Sequence, residues 1–533
     1  MNTEYRWLPH LEDAVPSAGQ GKRISTYTVS LEGWRRGLKL KFYSLFEDGN
    51  KLKVRYSLSN GEKTHHFSLS MGDRVSDKAF EICDDKDLTK QYLRKGNVPV
   101  PEGKMFGLEY STEEIIQYGL SLGFPLVVKP TDGNAGRGVF ANITNEKDFR
   151  EIVPYVREEL EFDNIIVEKY VDGEEFRIYV IEDRVLGAMN RRPARVIGDG
   201  IHTIRELIHQ KNAERRLNPH LTSRLIKIDL EIETMLENQG YDLTSIPEKD
   251  KIVYLREKSN LSTGGEAVDV TDQLTPEIEQ IAIDAGKAIP GLSHYGVDMI
   301  VSDDRKEGVI LEVNTRPGLG GHLFPSEGQA RDFAKEIIDY YFPETKDKHR
   351  SILYFDFDSV IEAVTSRSVD EIDLLTPPSN PLFGQKYIVE LHDEPVDLFR
   401  RQIRRQAIAR EMHGYTEVLD DGTISIVIMT TNKKDFSIIE KTIEQSFNAE
   451  IVEKVEWNKP IPIGFETKRD ERLSRNEIRQ LLRDKAQLER DNERLLKRYS
   501  EIQKSRFWRI TAPFRFIMHN LKLLVRALKG EKN

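Results

Sequence analysis

The sequence holds one cysteine, Cys83, in 533 residues. An internal disulfide and a multi-cysteine zinc site are therefore excluded, and a reducing compartment suits the chain. No run of 18 uncharged apolar residues occurs, so no ordinary membrane-spanning helix is expected. The first residues, MNTEYRWLPHLEDAVPSAG, are broken by acids and prolines and lack an apolar core, so a secretory signal is not expected. A phosphate-binding loop of the G-x-x-x-x-G-K-[ST] type is absent; Gly61-Glu62-Lys63-Thr64 lacks the first glycine at the required spacing. No exact internal repeat is present.

Hydrophobic residues make up 38% and charged residues 32%, which is enough apolar material for a core and enough charge for a soluble surface. At roughly 100–200 residues per domain, the length allows two to four units. The net charge of −10 hides an asymmetry. Residues 466–533 hold 19 Lys+Arg against 10 Asp+Glu, which leaves 60 Lys+Arg against 79 Asp+Glu in residues 1–465. An acidic body thus carries a basic end, a pattern that points to an acidic partner surface for that end.

Residues 1–24 carry few structural signals and read as an arm. Residues 25–75 read as a β-rich segment, with ISTYTVSL, LKLKFYSLF and LKVRYSLS as strands and turn signals at Asp48-Gly49-Asn50 and Asn60-Gly61. Residues 76–345 alternate short apolar runs with helical stretches, which predicts an α/β or α+β domain. Residues 350–465 form a small mixed α/β block: SILYFDF, KYIVEL and TISIVIMT read as strands and residues 395–413 as a basic helix.

In residues 466–504, Leu481, Leu488, Leu495 and Ile502 recur every seven residues, and Ile478, Lys485, Asn492 and Tyr499 form a second seam. This predicts a coiled coil, with Asn492 favouring a parallel homodimer over a helix docked on its own chain. In residues 505–533, Phe514, Ile517, Met518, Leu521, Leu524, Val525 and Leu528 form an apolar stripe, with Arg515, Lys522, Arg526 and Lys529 largely off it. Such a basic amphipathic helix can lie on an anionic membrane or dock on protein. Nucleic acid is not the expected partner, because heptads and an apolar stripe fit it poorly.

The chemistry-bearing residues lie in the middle. In FPLVVKPTDGNAGRGV an apolar strand delivers Lys129 to a loop containing Gly133, Asn134, Gly136, Arg137 and Gly138. A lysine at a strand end can meet a phosphate, and glycines let backbone N–H groups close over phosphate oxygens. The segment from Glu168 through Lys169 and Val171 to Glu175 follows another apolar run and offers groups for a purine and a ribose. Asp298, and Glu312 with Asn314, stand at the ends of two further runs; as hard oxygen donors they suit Mg²⁺ bound jointly with phosphates. Any one of these residues alone would more often be a solvated strand end.

Over about Asp85 to Pro343 the chain resembles the ATP-grasp superfamily, which implies an α+β ATP-grasp fold. In D-alanine–D-alanine ligases and glutathione synthetases, positions matching Lys90 and Lys129 contact nucleotide phosphates. Those matching Glu168, Lys169 and Val171 hold adenine, the position of Glu175 holds ribose, and those of Asp298, Glu312 and Asn314 bind two Mg²⁺ ions, with Mn²⁺ as an alternative. Within the superfamily the chain is similar to the ATP-grasp region of cyanophycin synthetase, through KPTDGNAGRGV, ARVIGDGIHTIRELI, NLSTGGEAVDVTD and NTRPGLGGHLFPSEG. No phosphate-binding loop is present for that family's Mur-ligase-like domain, so a single ligation with another acceptor is expected.

The resemblance implies an ATP-dependent carboxylate–amine ligase that forms an amide through an acyl phosphate. Arg256 is the first candidate for the acyl-transfer step, with Arg192 and Arg316 as the others. Ser262, Thr263, Gly264 and Gly265, with His322 and Ser326, are expected to line the acceptor pocket. The segment SRFWRITAPFR resembles the C-termini of some bacterial polysaccharide glycosyltransferases. It implies action at the cytoplasmic face of the membrane, attaching an amino acid to a uronic acid or modifying another cell-envelope polysaccharide precursor; an amino-acid or peptide-like conjugate made in the cytosol is the equal alternative. A non-catalytic ATP-binding scaffold is the alternative.

Overall fold

A computed structural model describes residues 7–47, 51–131, 138–392, 395–447 and 449–468, together with the helical positions Arg483, Lys485, Gln487 and Arg490. Residues 1–467 cluster as one unit and residues 468–533 as another. The coiled-coil seams, the amphipathic tail and the Asp48-Gly49-Asn50 turn therefore lie outside the described residues, apart from Lys485. Among the described residues, no helix is long and apolar enough to cross a membrane.

The first unit corrects one expectation at its start. ISTYTVSL alternates apolar and hydroxyl residues as a strand would, yet Ile24–Arg35 is an α-helix, with every residue buried. β-branched residues disfavour a helix by only a few tenths of a kcal/mol each, whereas Tyr27, Leu31 and Trp34 are fully enclosed. The hydroxyls do not force that face toward water. Thr28 Oγ1 donates to Ile24 O at 2.8 Å and Ser30 Oγ to Tyr27 O at 3.0 Å, so burial leaves neither unpaired. Gly33 lets the helix approach Leu58, whose Cδ1 lies 2.5 Å from where a Cβ would stand.

Lys39–Glu47, Lys51–Ser59, Thr64–Ser68 and Met71–Gly72 then form the expected antiparallel meander, turned at Asn60, whose Oδ1 accepts from the N–H groups of Glu62 and Lys63. Glu371–Asp373 adds a fifth strand beside Lys39–Glu47. Core residues from Leu11 and Trp34 to Phe355, Val427 and Ile461 form one cluster, so residues 25–75 and the block after 350 share a core.

That later block also refines its prediction. SILYFDF is a strand only at Leu353–Tyr354, because Asp356 caps the helix Phe357–Thr365 through Ser359 N. The order Phe383–Glu390, Val396–Ile408, His413–Val418, Ile424–Thr430, Lys434–Lys441, Glu450–Glu456 is β-α-β-β-α-β. With the fourth strand beside the first and the third between the first and second, this is a ferredoxin-like split βαβ sheet. Both helices pack on one face, where Phe399, Ile403 and Ile439 meet Ile424, Ile426 and Ile428. Val427 and Met429, on the alternate face, join the N-terminal core.

Two antiparallel sheets occupy the middle. One holds Gly103–Phe106, Ile165–Lys169, Leu126–Pro130 and Phe140–Ile143, in that lateral order. The other holds Glu266–Asp269, Arg184–Arg192, Glu174–Ile181, His294–Val301 and Gly308–Asn314. A cavity of about 810 Å³ is lined by residues of both.

Candidate active site

Sheet register decides which side chains enter this cavity. Asp298 sits opposite Glu312 on one side and Arg177 on the other, and Arg191 pairs with Glu175 by a hydrogen bond of 2.7 Å. Side chains alternate along a strand, so Glu175, Arg177, Arg191, Asp298, Glu312 and Asn314 share one face. All six line the cavity. The pairing slips between Asp298 and Met299, a bulge at Leu311 that re-aims the strand beside Glu312.

From the other sheet come Lys129, Glu168 and Lys169. Glu168 is 2% exposed and accepts charge-assisted bonds from both Lys90 and Lys129. Burial pushes its carboxyl up, but the two ammonium groups together hold it below the usual carboxylate range. Burial, with Lys129 nearby, lowers Lys90 to about 8 despite Glu168. The Lys169 ammonium donates to Leu122 O, Gly123 O and Phe124 O at 2.9–3.3 Å, so it braces the turn before Leu126–Pro130 while its residue lines the cavity. Val171 also lines it. Gly138, with φ of 73°, closes against Pro130 and Phe162; Gly133, Asn134, Gly136 and Arg137 lie outside the described residues.

Asp298 accepts from two arginines: Arg177 Nε and Nη2 donate to it at 2.6 Å each and Arg191 Nη1 at 3.2 Å. Burial pushes its carboxyl up, and the two guanidiniums hold it low. Two buried polar atoms here have no partner among the described residues, Arg191 Nε and Asn314 Nδ2. An orphaned donor is costly to bury, so each of these two atoms calls for a partner in the cavity they face. The carboxylates of Asp298 and Glu312 and the Asn314 amide oxygen are hard donors that fit Mg²⁺. Exchange of the Asn314 amide ends would present its oxygen where the unpartnered nitrogen now lies. Cys83, also on the wall, is pushed up to about 12 by burial and stays a neutral thiol.

Of the three arginines expected in acyl transfer, only Arg316 lines the cavity, with its guanidinium 4.6 Å from the centre of the Phe80 ring. Arg192 is one residue from Arg191 and so faces the other way, toward Asn190 and Glu327. Arg256 is also away from the lining; it binds Asp229, Glu231, Lys227 O and Thr263 O. From the other side Arg215 donates to Gly264 O and Gly265 O at 3.0 Å each. These two arginines clamp the segment Ser262, Thr263, Gly264, Gly265, of which none lines the cavity; Asn260, just before it, does. His322 is buried against Phe333, with both ring nitrogens unpartnered among the described residues, and burial lowers it to about 3. Ser326 lines a separate cavity of about 290 Å³ with Lys211, Glu266 and Glu327. Arg177 and Arg191 were the residues that sequence reasoning missed. The signal for Arg177 was its spacing of two from Glu175 along a strand.

Residues 83–319 match the family model of the ATP-grasp domain. The chain is 36% identical to the cyanophycin synthetase of Trichormus variabilis over 355 residues, 65% of this chain and 38% of that protein. It is 33% identical over 332 residues to the glutathione biosynthesis bifunctional protein GshAB of Clostridium perfringens, 60% of this chain and 41% of that one. A solved bifunctional glutathione synthetase from Pasteurella multocida superposes with a TM-score of 0.44 at 28% identity, over 57% of this chain and 42% of that one. The chain thus spans about two-fifths of the length of the curated relatives it matches. The likeness to the ATP-grasp family is thus carried by residues 83–319, the central part of this chain.

Proposed function

We propose that the chain is an ATP-dependent carboxylate–amine ligase. ATP transfers its γ-phosphoryl group to a substrate carboxylate, giving an acyl phosphate and ADP. An amine then attacks the acyl carbon, and phosphate leaves as the amide forms. The observation that carries this reading is convergence: Lys129, with Lys90 beside it on the shared Glu168, three oxygen-bearing side chains and a buried guanidinium with an unpartnered Nε meet at one cavity.

Lys129 and Lys90 hold the phosphates, exchanging part of their contact with Glu168 for phosphate oxygens. Glu175 and Ser259, already hydrogen-bonded to each other, hold the ribose. Asp298, Glu312 and Asn314 hold Mg²⁺, which when bound supplies positive charge to the phosphate oxygens. Arg191 offers Nε to the oxyanion that develops at the acyl carbon, a donor fixed in advance by its bonds to Glu175 and Asp298. The cavity wall of Phe80, Arg316 and Lys86 receives the acid. Amino-acid, peptide-like and envelope-polysaccharide acids are the substrate classes proposed. The heptads of 466–504 and the basic stripe of 505–533 support a homodimer held at the inner membrane face.

Hydroxylamine trapping tests the reading. Candidate acids incubated with ATP and Mg²⁺ are expected to yield hydroxamate with stoichiometric ADP, and acid-independent ADP release throughout the panel would overturn it. With the active acid, Arg191→Met is expected to lower the rate about 10²-fold, while Arg192→Met stays near wild type. Equal effects would remove Arg191 from the acyl step.

Lys90 gives a pH prediction. In the free protein it loses its proton as pH rises through about 8, and phosphate oxygens favour the charged form. ATP binding at pH 8.5 should therefore take up part of a proton, and affinity should fall as pH rises above 8. Calorimetry in two buffers of different protonation enthalpy reads the uptake directly. Lys90→Arg, which stays charged, should abolish it; identical heats in both buffers for the native chain would refute the assignment.

A further inference from the structure

The helix Val396–Ile408 has an outer face that its own fold does not use. Phe399, Ile403 and Ala407 are buried against the ferredoxin-like sheet, and Arg400 turns inward to Thr416. Leu398, Arg401, Arg404, Arg405 and Ile408 are exposed, Leu398 by 45% and Ile408 by 50%. At 100° per residue these five fall within about 120° of the helix circumference and span about 15 Å. Arg401 Nε donates to the Asp397 backbone carbonyl and Arg404 Nε to Phe465 O, but none of the three arginines forms an ion pair with a described carboxylate. Asp397, in the first turn, is the one acid on the helix, against five arginines in residues 396–410. This positive stripe stands on a body whose net charge is strongly negative.

We propose that this face docks on an anionic lipid surface, with the guanidiniums on phosphate headgroups and Leu398 and Ile408 entering the acyl boundary. Three features favour lipid over an acidic protein or a nucleic acid. Leu398 and Ile408 stand at the two ends of the cationic row and on its own face, so a surface that sets phosphate groups over an apolar layer meets both kinds of side chain at once. Guanidinium groups bind phosphate oxygens in pairs. The helix is already folded on a sheet, so docking orders nothing new. The contact belongs to the folded body and does not depend on residues 505–533 or on the ligase reading.

Co-sedimentation of the full-length protein with vesicles of phosphatidylglycerol and phosphatidylcholine tests it. Each cationic side chain near an anionic leaflet multiplies binding about five-fold, so Arg401→Gln with Arg405→Gln should weaken binding about 25-fold. Leu398→Ser with Ile408→Ser should weaken it about ten-fold, and pure phosphatidylcholine should bind neither native protein nor variants. All four positions are exposed, so an unchanged urea midpoint will confirm that both variants fold. Undiminished binding by either folded variant overturns the proposal and leaves anchoring to the tail. Absence of native binding overturns it as well.

Discussion

Replacing Lys129 by alanine is expected to lower ATP-dependent hydroxamate formation about 10³-fold while leaving the fold intact. The lysine stands at the end of Leu126–Pro130 with its side chain 14% exposed, and its one described ion pair is with Glu168. Glu168 keeps Lys90 as a partner when Lys129 is removed, so no buried carboxylate is left bare. The transferring phosphoryl group, in contrast, loses a positioned cation in a water-poor site, where such a donor is worth far more than in water. Glu312→Gln is expected to fall as far, because an amide of the same shape withdraws the negative charge that would hold Mg²⁺ beside Asp298 under the proposed assignment. Circular dichroism and a urea midpoint near wild type, with hydroxamate formation lost, is the expected pair of results. Full activity in both variants would dissolve the site.

Glu168→Leu should behave in the opposite way, damaging stability first. It leaves Lys90 and Lys129 facing each other in a buried place with no counter-charge, a loss of about 3–5 kcal/mol at neutral pH. The pH dependence has a fixed sign. Burial and Lys129 already depress Lys90, and removal of Glu168 takes away the group that opposed them. The unfolded lysine keeps an ordinary pKa, so between about pH 7 and 10 the unfolded state binds more protons than the folded variant. Its stability must then rise with pH across that window. Urea midpoints measured along a pH series check this; a deficit that is absent at pH 7, or that deepens toward pH 9, would mean that Glu168 does not compensate the two lysines.

The contrast between the two variants also shows what was legible. Lys129, Glu168, Asp298, Glu312 and Asn314 were readable because each ends or follows an apolar run, where a polar residue must meet water or a ligand. Arg191 was not. Arg191 and Arg192 are adjacent and chemically identical, and only the pairing of Arg184–Arg192 with Glu174–Ile181 decides which one faces the cavity. A one-residue change of parity exchanges the two faces. Arg256 stands just before the NLSTGG loop, but its charge is consumed by Asp229, Glu231 and two carbonyls that folding brings to it. The buried helix Ile24–Arg35 escaped for a related reason: hydroxyl groups read as solvent-facing were satisfied by the helix's own carbonyls.

The sequence by itself determined that Lys129, Glu168, Asp298, Glu312 and Asn314 stand at the ends of apolar runs, the meander after residue 38 and the charge asymmetry between body and end. These rest on local pattern, on strand ends, glycine turns and spacing, which neighbouring residues alone enforce. Tertiary structure decided the rest: which of two adjacent arginines enters the cavity, that Arg256 and Arg215 clamp a loop, that Glu371–Asp373 completes a sheet begun more than 300 residues earlier, and that Val396–Ile408 presents a basic face without an ion pair among the described residues. Each depends on which distant carboxylate, carbonyl or strand edge a residue meets, and that partnership is set when the chain closes its core, because a buried charge or backbone group is stable only where a partner is brought to it.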